Sequence, residues 1–153
     1  MNPFDLLTFN IVKQTENILI SKGYNIPVVS AFPDYDTLAL PFVVVSLERI
    51  NLTPYEIGSL LEWNNSIFIW TVFGTNDSNR NELLYQIHFN LRSSDIIIYD
   101  VKVTDKIVTL DTDKPLLTAS LIPQSIYPIP ALSEHPYDRY RGELVATINF
   151  VGG

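Results

Sequence analysis

Apolar positions along this chain recur first with a helical period and then with a period of two, and each switch marks an element. Between Pro3 and Lys22, Phe4, Leu7, Ile11 and Ile18 fall at helical spacing and predict a first helix with one buried stripe. Asn2 stands where an N-cap belongs, and Pro3 suits the first turn, whose N–H groups have no helical partner. Lys22-Gly23 predicts the stop, because glycine takes a left-handed conformation at no Cβ cost. Pro27, Pro33 and Pro41 break up the stretch from Tyr24 to Leu40, which reads as a short extended piece and an irregular loop.

Phe42 to Ile50 has the β-branched and aromatic content of a strand, with alternation through Val45, Ser46, Leu47 and Glu48. Asn51 to Asn65, with Pro54 and Gly58, reads as a loop or long hairpin arm. Ser66 to Phe73 is the second strand. Its Ile67, Ile69, Thr71 and Phe73 point one way, and Phe68, Trp70 and Val72 the other. A strand apolar on both faces needs two covers. One face meets the core, and the other requires helices, a second sheet or another subunit.

Asn76 to Asn79 supplies several caps in succession, and Asn79 followed by Glu82 has the spacing of a capping box. Leu83, Leu84, Ile87 and Leu91 then form a helical stripe that ends at Arg92, whose charge suits a C-terminal turn. Ile96–Val103, Ile107–Leu110 and Leu116–Ile122 read as strands, with Asp111 to Pro115 as a turn and Pro123 as a stop. Pro123, Pro128, Pro130 and Pro136 interleave with Ile126, Tyr127, Ile129 and Leu132. The stretch 123–136 is therefore expected to be an ordered, extended arm that lies along its own domain or reaches a neighbour. Glu143 to Val151 closes the chain as a strand with Leu144, Ala146, Ile148 and Phe150 on one face. The order predicts a single α+β domain over residues 1–153, with two helices packed on one face of a mainly antiparallel sheet.

Composition narrows the function. With 153 residues, 46% hydrophobic and 18% charged, the chain can bury a sizeable core without staples. It has no cysteine, which excludes disulfides and thiolate metal sites. Met1-Asn-Pro-Phe-Asp5 lacks the basic and long apolar regions of a secretory signal, so none is expected. No apolar run approaches the roughly 20 residues that span a bilayer, so no membrane partner is expected. The formal charge of −7 argues against a groove that grips phosphates; Arg139-Tyr-Arg141 is diluted by Asp138 and Glu143.

Candidate chemistry is sparse. His88 lies beside the second helical stripe, and His135 sits in Glu134-His-Pro136; two histidines and no cysteine do not make a transition-metal site. Asp34-Tyr-Asp36 and Asp111-Thr-Asp113 pair carboxylates without the glycine and glutamate of a calcium loop. Gly-x-Ser-x-Gly and phosphate-loop patterns are absent, and the six glycines are scattered. The expectation is no catalytic residue, no cofactor and no metal. The aromatics Trp63, Phe68, Trp70, Phe73, Tyr85 and Phe89 cluster with only Arg80 and Arg92 as basic company, so packing is expected rather than base stacking.

The block from Pro41-Phe-Val-Val-Val45 through the long strand to Asp77-x-x-x-x-Glu82-Leu-Leu-x-x-Ile87-x-x-x-Leu91 resembles the tail terminator, or tail completion, proteins of tailed bacteriophages. These also include head–tail joining relatives. The resemblance implies a structural virion protein, assembled in the host cytoplasm. Its expected form is a hexameric ring that closes the tail tube and offers a docking face for the head. It implies self-association, tail-tube and head-connector partners, and DNA passing through the lumen without specific binding. A head-completion protein or tail-tube subunit is the neighbouring alternative, and a small carboxylate-based enzyme or ligand-binding domain is the alternative of another class. For the ring, Phe68, Trp70 and Val72 with Ile126, Tyr127, Ile129 and Leu132 are the expected contact residues, and Ile67, Ile69 and Phe73 are the opposite-face alternative.

Overall fold

The computed structural model of the chain describes residues 2–30, 39–52, 63–93, 95–131 and 139–151. Its elements are α1 (Pro3–Ser21), β1 (Val28–Val29), β2 (Phe42–Leu52), β3 (Trp63–Phe73), α2 (Asp77–Arg92), β4 (Ile96–Thr104), β5 (Ile107–Ile129) and β6 (Arg141–Val151). The six strands form one curled sheet in the order β1-β2-β3-β6-β5-β4. Only β1–β2 is parallel; the other pairs are antiparallel. The α+β class expected from the pattern is what the chain adopts.

Both helices start on asparagine caps. Asn2 accepts from the Asp5 N–H at 2.9 Å, with Pro3 in the first turn, and Gly23 takes φ of +90° just past the end. In α2 the cap is Asn76 rather than Asn79. Asn76 accepts from the Asn79 N–H at 2.8 Å, and the Asn79 side chain reaches back to the Thr75 N–H at 3.0 Å. The cap is thus built one turn earlier from two asparagines, with Asn79 accepting from the residue before the cap rather than from the cap itself as in a capping box. Gly74 precedes it because a Cβ there would meet Arg80 Cβ at 2.8 Å and its backbone N at 2.9 Å.

The main core joins Leu7, Ile11 and Leu19 of α1 and Leu83, Ile87 and Leu91 of α2 to alternate residues of the strands. The α2 stripe is as expected. The α1 stripe is displaced: Phe4 stays 52% exposed and Ile18 is only partly buried, while Leu7, Ile11, Thr15 and Leu19 lead the buried side. Thr15 is tolerated there because its hydroxyl donates to Ile11 O at 2.7 Å and accepts from Trp70 Nε1 at 3.0 Å.

The stretch expected as strand, turn, strand and stop is one strand of 23 residues. The Asp111–Pro115 turn signal is spent in a bulge. Tyr99 pairs with Pro115 and Asp100 with Asp111, so Thr112, Asp113 and Lys114 are extra in the ladder. Asp111 accepts from the Asp113 N–H at 3.2 Å, the local bond that such a turn uses, without reversing the chain. Pro123 does not stop β5, because beyond Ala119 the strand has no β4 partner and a proline can occupy an edge. The proline arm is therefore strand as far as Ile129, paired with β6 from Pro123↔Ala146 to Ile129↔Arg141.

The outer edge of β4 is closed by side chains. Asn10, fully buried, accepts from the Tyr99 N–H at 2.8 Å and donates to Tyr99 O at 2.9 Å, as a paired strand would. Gln14 donates to Ile97 O at 2.7 Å, and Asp100 accepts from the Val101 N–H at 2.8 Å. α1 thus serves as a cap for a sheet edge, a protection against unwanted strand pairing.

Candidate assembly surface

β3 divides the sheet into a buried side and a half-exposed one. Phe68, Trp70 and Val72 are fully buried, and all three belong to the main core with α1 and α2. The expectation that they form an intersubunit surface is therefore corrected, since all three are already fully buried in the chain's own core. The opposite face is the one left over. Ile67 and Ile69 are half-buried, in register with Thr147 and Val145 of β6, and Thr147 is in register with Ile122 of β5. Ile122 is 49% exposed. Ile67, Ile69, Val145 and Ile122 form an apolar floor with Thr147 at its centre, where Gln124 Nε2 donates to Thr147 Oγ1.

This face is not open along its whole length. Phe73 and Phe42 stack with centroids 4.6 Å apart and are buried with Val44, and Val29 and Leu40 lie against them. Of the opposite-face residues, Phe73 is thus internal and Ile67 and Ile69 are not. Beside the floor, the Tyr127 hydroxyl donates to Glu143 Oε2, and Arg141 lies over the Phe73 ring at 5.9 Å. The bond to Glu143, then burial, raises the Tyr127 pKa above its ordinary 10.0.

The arm residues divide. Ile126 and Tyr127 are exposed, at 45% and 41%, and Ile129 is half-buried. All three are strand residues in register with β6 of the same chain, so this part of the arm follows its own domain. Leu132 and His135 lie outside the described residues, as do Asp34-Tyr-Asp36 and 53–62.

A surface that the sequence reading missed is the far end of the β4–β5 hairpin. Asp105 and Lys106 form a two-residue turn with φ of 51° and 67°, the mirror-image turn that matches strand twist. Alternation places Val101 and Val103 on the side of Ile97 and Tyr99, away from the core residues Ile96 and Ile98. Register sets Val101 opposite Leu110 and Val103 opposite Val108, which makes one side of the ribbon apolar. The other side carries Asp100, Lys102, Thr104, Thr109 and Asp111, together with the exposed Ile107 next to the turn. Val103 is 67% exposed. Period-two alternation was present in both strands; only their register across the turn shows that the apolar positions share a side.

Elsewhere the surface offers little chemistry. Tyr85 and Phe89 stack on the exposed side of α2, 5.5 Å between centroids. His88 is half-buried, and burial and then the nearby Arg92 hold its pKa below the ordinary 6.5. A shallow groove of about 380 Å³ between α1, α2 and the start of β4 is lined by Gln14, Asn17, Asn90, Ser93 and Asp95, with a single carboxylate. Among the described residues, no group of three or more His, Asp or Glu side chains gathers to hold a metal ion, and no helix is long and apolar enough to cross a membrane. In comparisons with known proteins, no family model matches the chain, and no curated protein matches it.

Proposed function

We propose that this chain is a structural subunit of a closed ring in the tail or neck of a tailed bacteriophage, similar to the tail terminator that closes the tail tube and presents a face to the head connector. In this reading α1 and α2 share one face of the sheet, and the subunit contact uses the other. The observation that carries it is the divided burial of β3. Phe68, Trp70 and Val72 fill the chain's own core, while Ile67 and Ile69 on the reverse side remain half-exposed with Ile122 and Val145 beside them. A ring is a closed heterologous assembly, so each subunit presents two different surfaces. The apolar floor and the apolar side of the β4–β5 ribbon are two such surfaces. The formal charge of −7 suits a ring whose lumen passes DNA without holding it.

Light scattering of the purified chain over a concentration series, alone and with isolated tail tubes, tests the reading. The expected result is a discrete oligomer of fixed number that binds tube ends and stops their growth. Long filaments of the chain alone in electron micrographs point instead to a tube subunit. A monomer at every concentration that leaves tubes unaltered overturns the proposal.

A further inference from the structure

We infer that α1 holds the edge of β4 in an autoinhibited state: the Asn10 amide stands where the β4 of a second copy would pair, antiparallel and two-fold, about Tyr99. The inference does not depend on the ring reading and concerns an edge that the chain itself keeps shut.

β4 is the last strand in the sheet order and has what strand addition requires. Its nine residues hold no proline or glycine and are rich in β-branched side chains. The extra residues of the β4–β5 pairing all fall in β5, so β4 itself runs without a bulge. Its outward main-chain groups belong to the odd positions, since Thr104 closes the hairpin against Ile107 and Asn10 reaches both groups of Tyr99.

Side chains take the place of the missing neighbour. In an antiparallel ladder, a hydrogen-bonded pair exchanges two N–H···O bonds. The Asn10 amide makes that exchange with Tyr99, accepting from its N–H at 2.8 Å and donating to its C=O at 2.9 Å. Gln14 donates to the C=O of Ile97 at 2.7 Å, and Asp100 accepts from the N–H of Val101 at 2.8 Å. A second β4 centred on Tyr99 would use these same four groups. α1 is fastened in its blocking position by Leu7, Ile11 and Leu19 in the core and by Thr15, which accepts from Trp70 Nε1.

The register favours a second β4 as the excluded partner. Centred on Tyr99, it sets Tyr99 opposite Tyr99, Ile97 opposite Val101, Ile96 opposite Lys102 and Ile98 opposite Asp100, with no like charges directly opposite. A centre at Asp100 would instead oppose two carboxylates. A two-fold pair of this kind closes at two chains, so excluding it leaves the chain free for other association.

The absence of cysteine permits a clean test. Tyr99→Cys places one thiol on the two-fold, where paired Cα atoms lie about 5.5 Å apart and within disulfide reach. Full-length Tyr99→Cys is oxidised with oxidised glutathione, with and without Asn10→Ala. The double variant is expected to give about tenfold more disulfide dimer, because the edge loses both bonds to Tyr99. Val103→Cys with Asn10→Ala is the control and is expected to give no gain, since its two thiols would lie about 27 Å apart in this pairing. A double variant that keeps its circular dichroism and gains no dimer overturns the inference. Cross-linking of Val103→Cys as efficient as that of Tyr99→Cys also overturns it, because association would then lack the register. If Asn10→Ala does not fold, Gln14→Ala takes its place, since it removes only the bond to Ile97 from a half-buried side chain. A gain of about threefold is expected from it, and no gain overturns the inference.

Discussion

Phe68 and Ile69 are adjacent in β3, both large and apolar, yet they stand in opposite situations. Phe68 is fully buried with Trp70, in the main core that α1 and α2 residues also join. Ile69 lies on the other side, half-buried, in register with the half-buried Val145. Burying such a side chain is worth about 1.5–3 kcal/mol, and on the first side folding of the monomer collects it in full. On the second, half-burial collects only part of it. The difference separates a side filled by the chain's own core from a side left half-bare.

The contrast is broken most severely at Trp70. Trp70→Ala is expected to cost about 3–5 kcal/mol in denaturant unfolding, from lost volume and from the bond to Thr15 that goes with it. A loss below about 1 kcal/mol would mean that the helices do not close this side as tightly as its burial implies. Next comes Asn10→Ala, which leaves the Tyr99 N–H and C=O without their side-chain partner. It is expected to cost about 2–3 kcal/mol and to raise aggregation, since the β4 edge opens at the same time. Thermal melts with light scattering read both effects together.

Ile67→Thr probes the half-exposed side and keeps the β-branched shape. Its expected cost to monomer stability is under about 1 kcal/mol, with a larger effect on self-association. If it destabilises the monomer as much as Trp70→Ala, the two sides are not different in kind.

The smallest effect concerns pH. Tyr127 is held above its ordinary 10.0 mainly by its bond to Glu143. Tyr24, beside Glu82, is raised mainly by burial, then by that carboxylate's charge and bond. A raised folded pKa means the folded state keeps the proton. The contribution is therefore complete below pH 10.0 and is lost as pH rises through the folded value. Tyr127→Phe is expected to remove the share of this alkaline loss that belongs to the open side, and Tyr24→Phe the share of the other. Unfolding midpoints between neutral and strongly alkaline pH separate them.

Much of the fold was legible because its signals are local. The α2 stripe of Leu83, Leu84, Ile87 and Leu91, the Asn2 cap and the alternation in β2, β3 and β6 are set by spacing within a few residues. The misreadings arose where a local signal has two outcomes. Asp111 to Pro115 satisfies a turn and a bulge equally well, and only pairing with Asp100 and Tyr99 selects the bulge. Pro123 stops a strand in mid-sheet but not at an edge, and its neighbours in the sheet come from residues far away in sequence.

By itself the sequence determined that β3 is apolar on both faces, that the chain carries no cysteine and a net charge of −7, where α1 begins and where both helices end. Only the tertiary structure decided which face of β3 enters the main core, that Asn10 and Gln14 close the β4 edge, and that Val101, Val103, Val108 and Leu110 gather on one side of a ribbon. The reason is that alternation divides a strand into two sides without ranking them. The ranking comes from long-range packing, which fills one side of β3 with core and leaves the other half-bare.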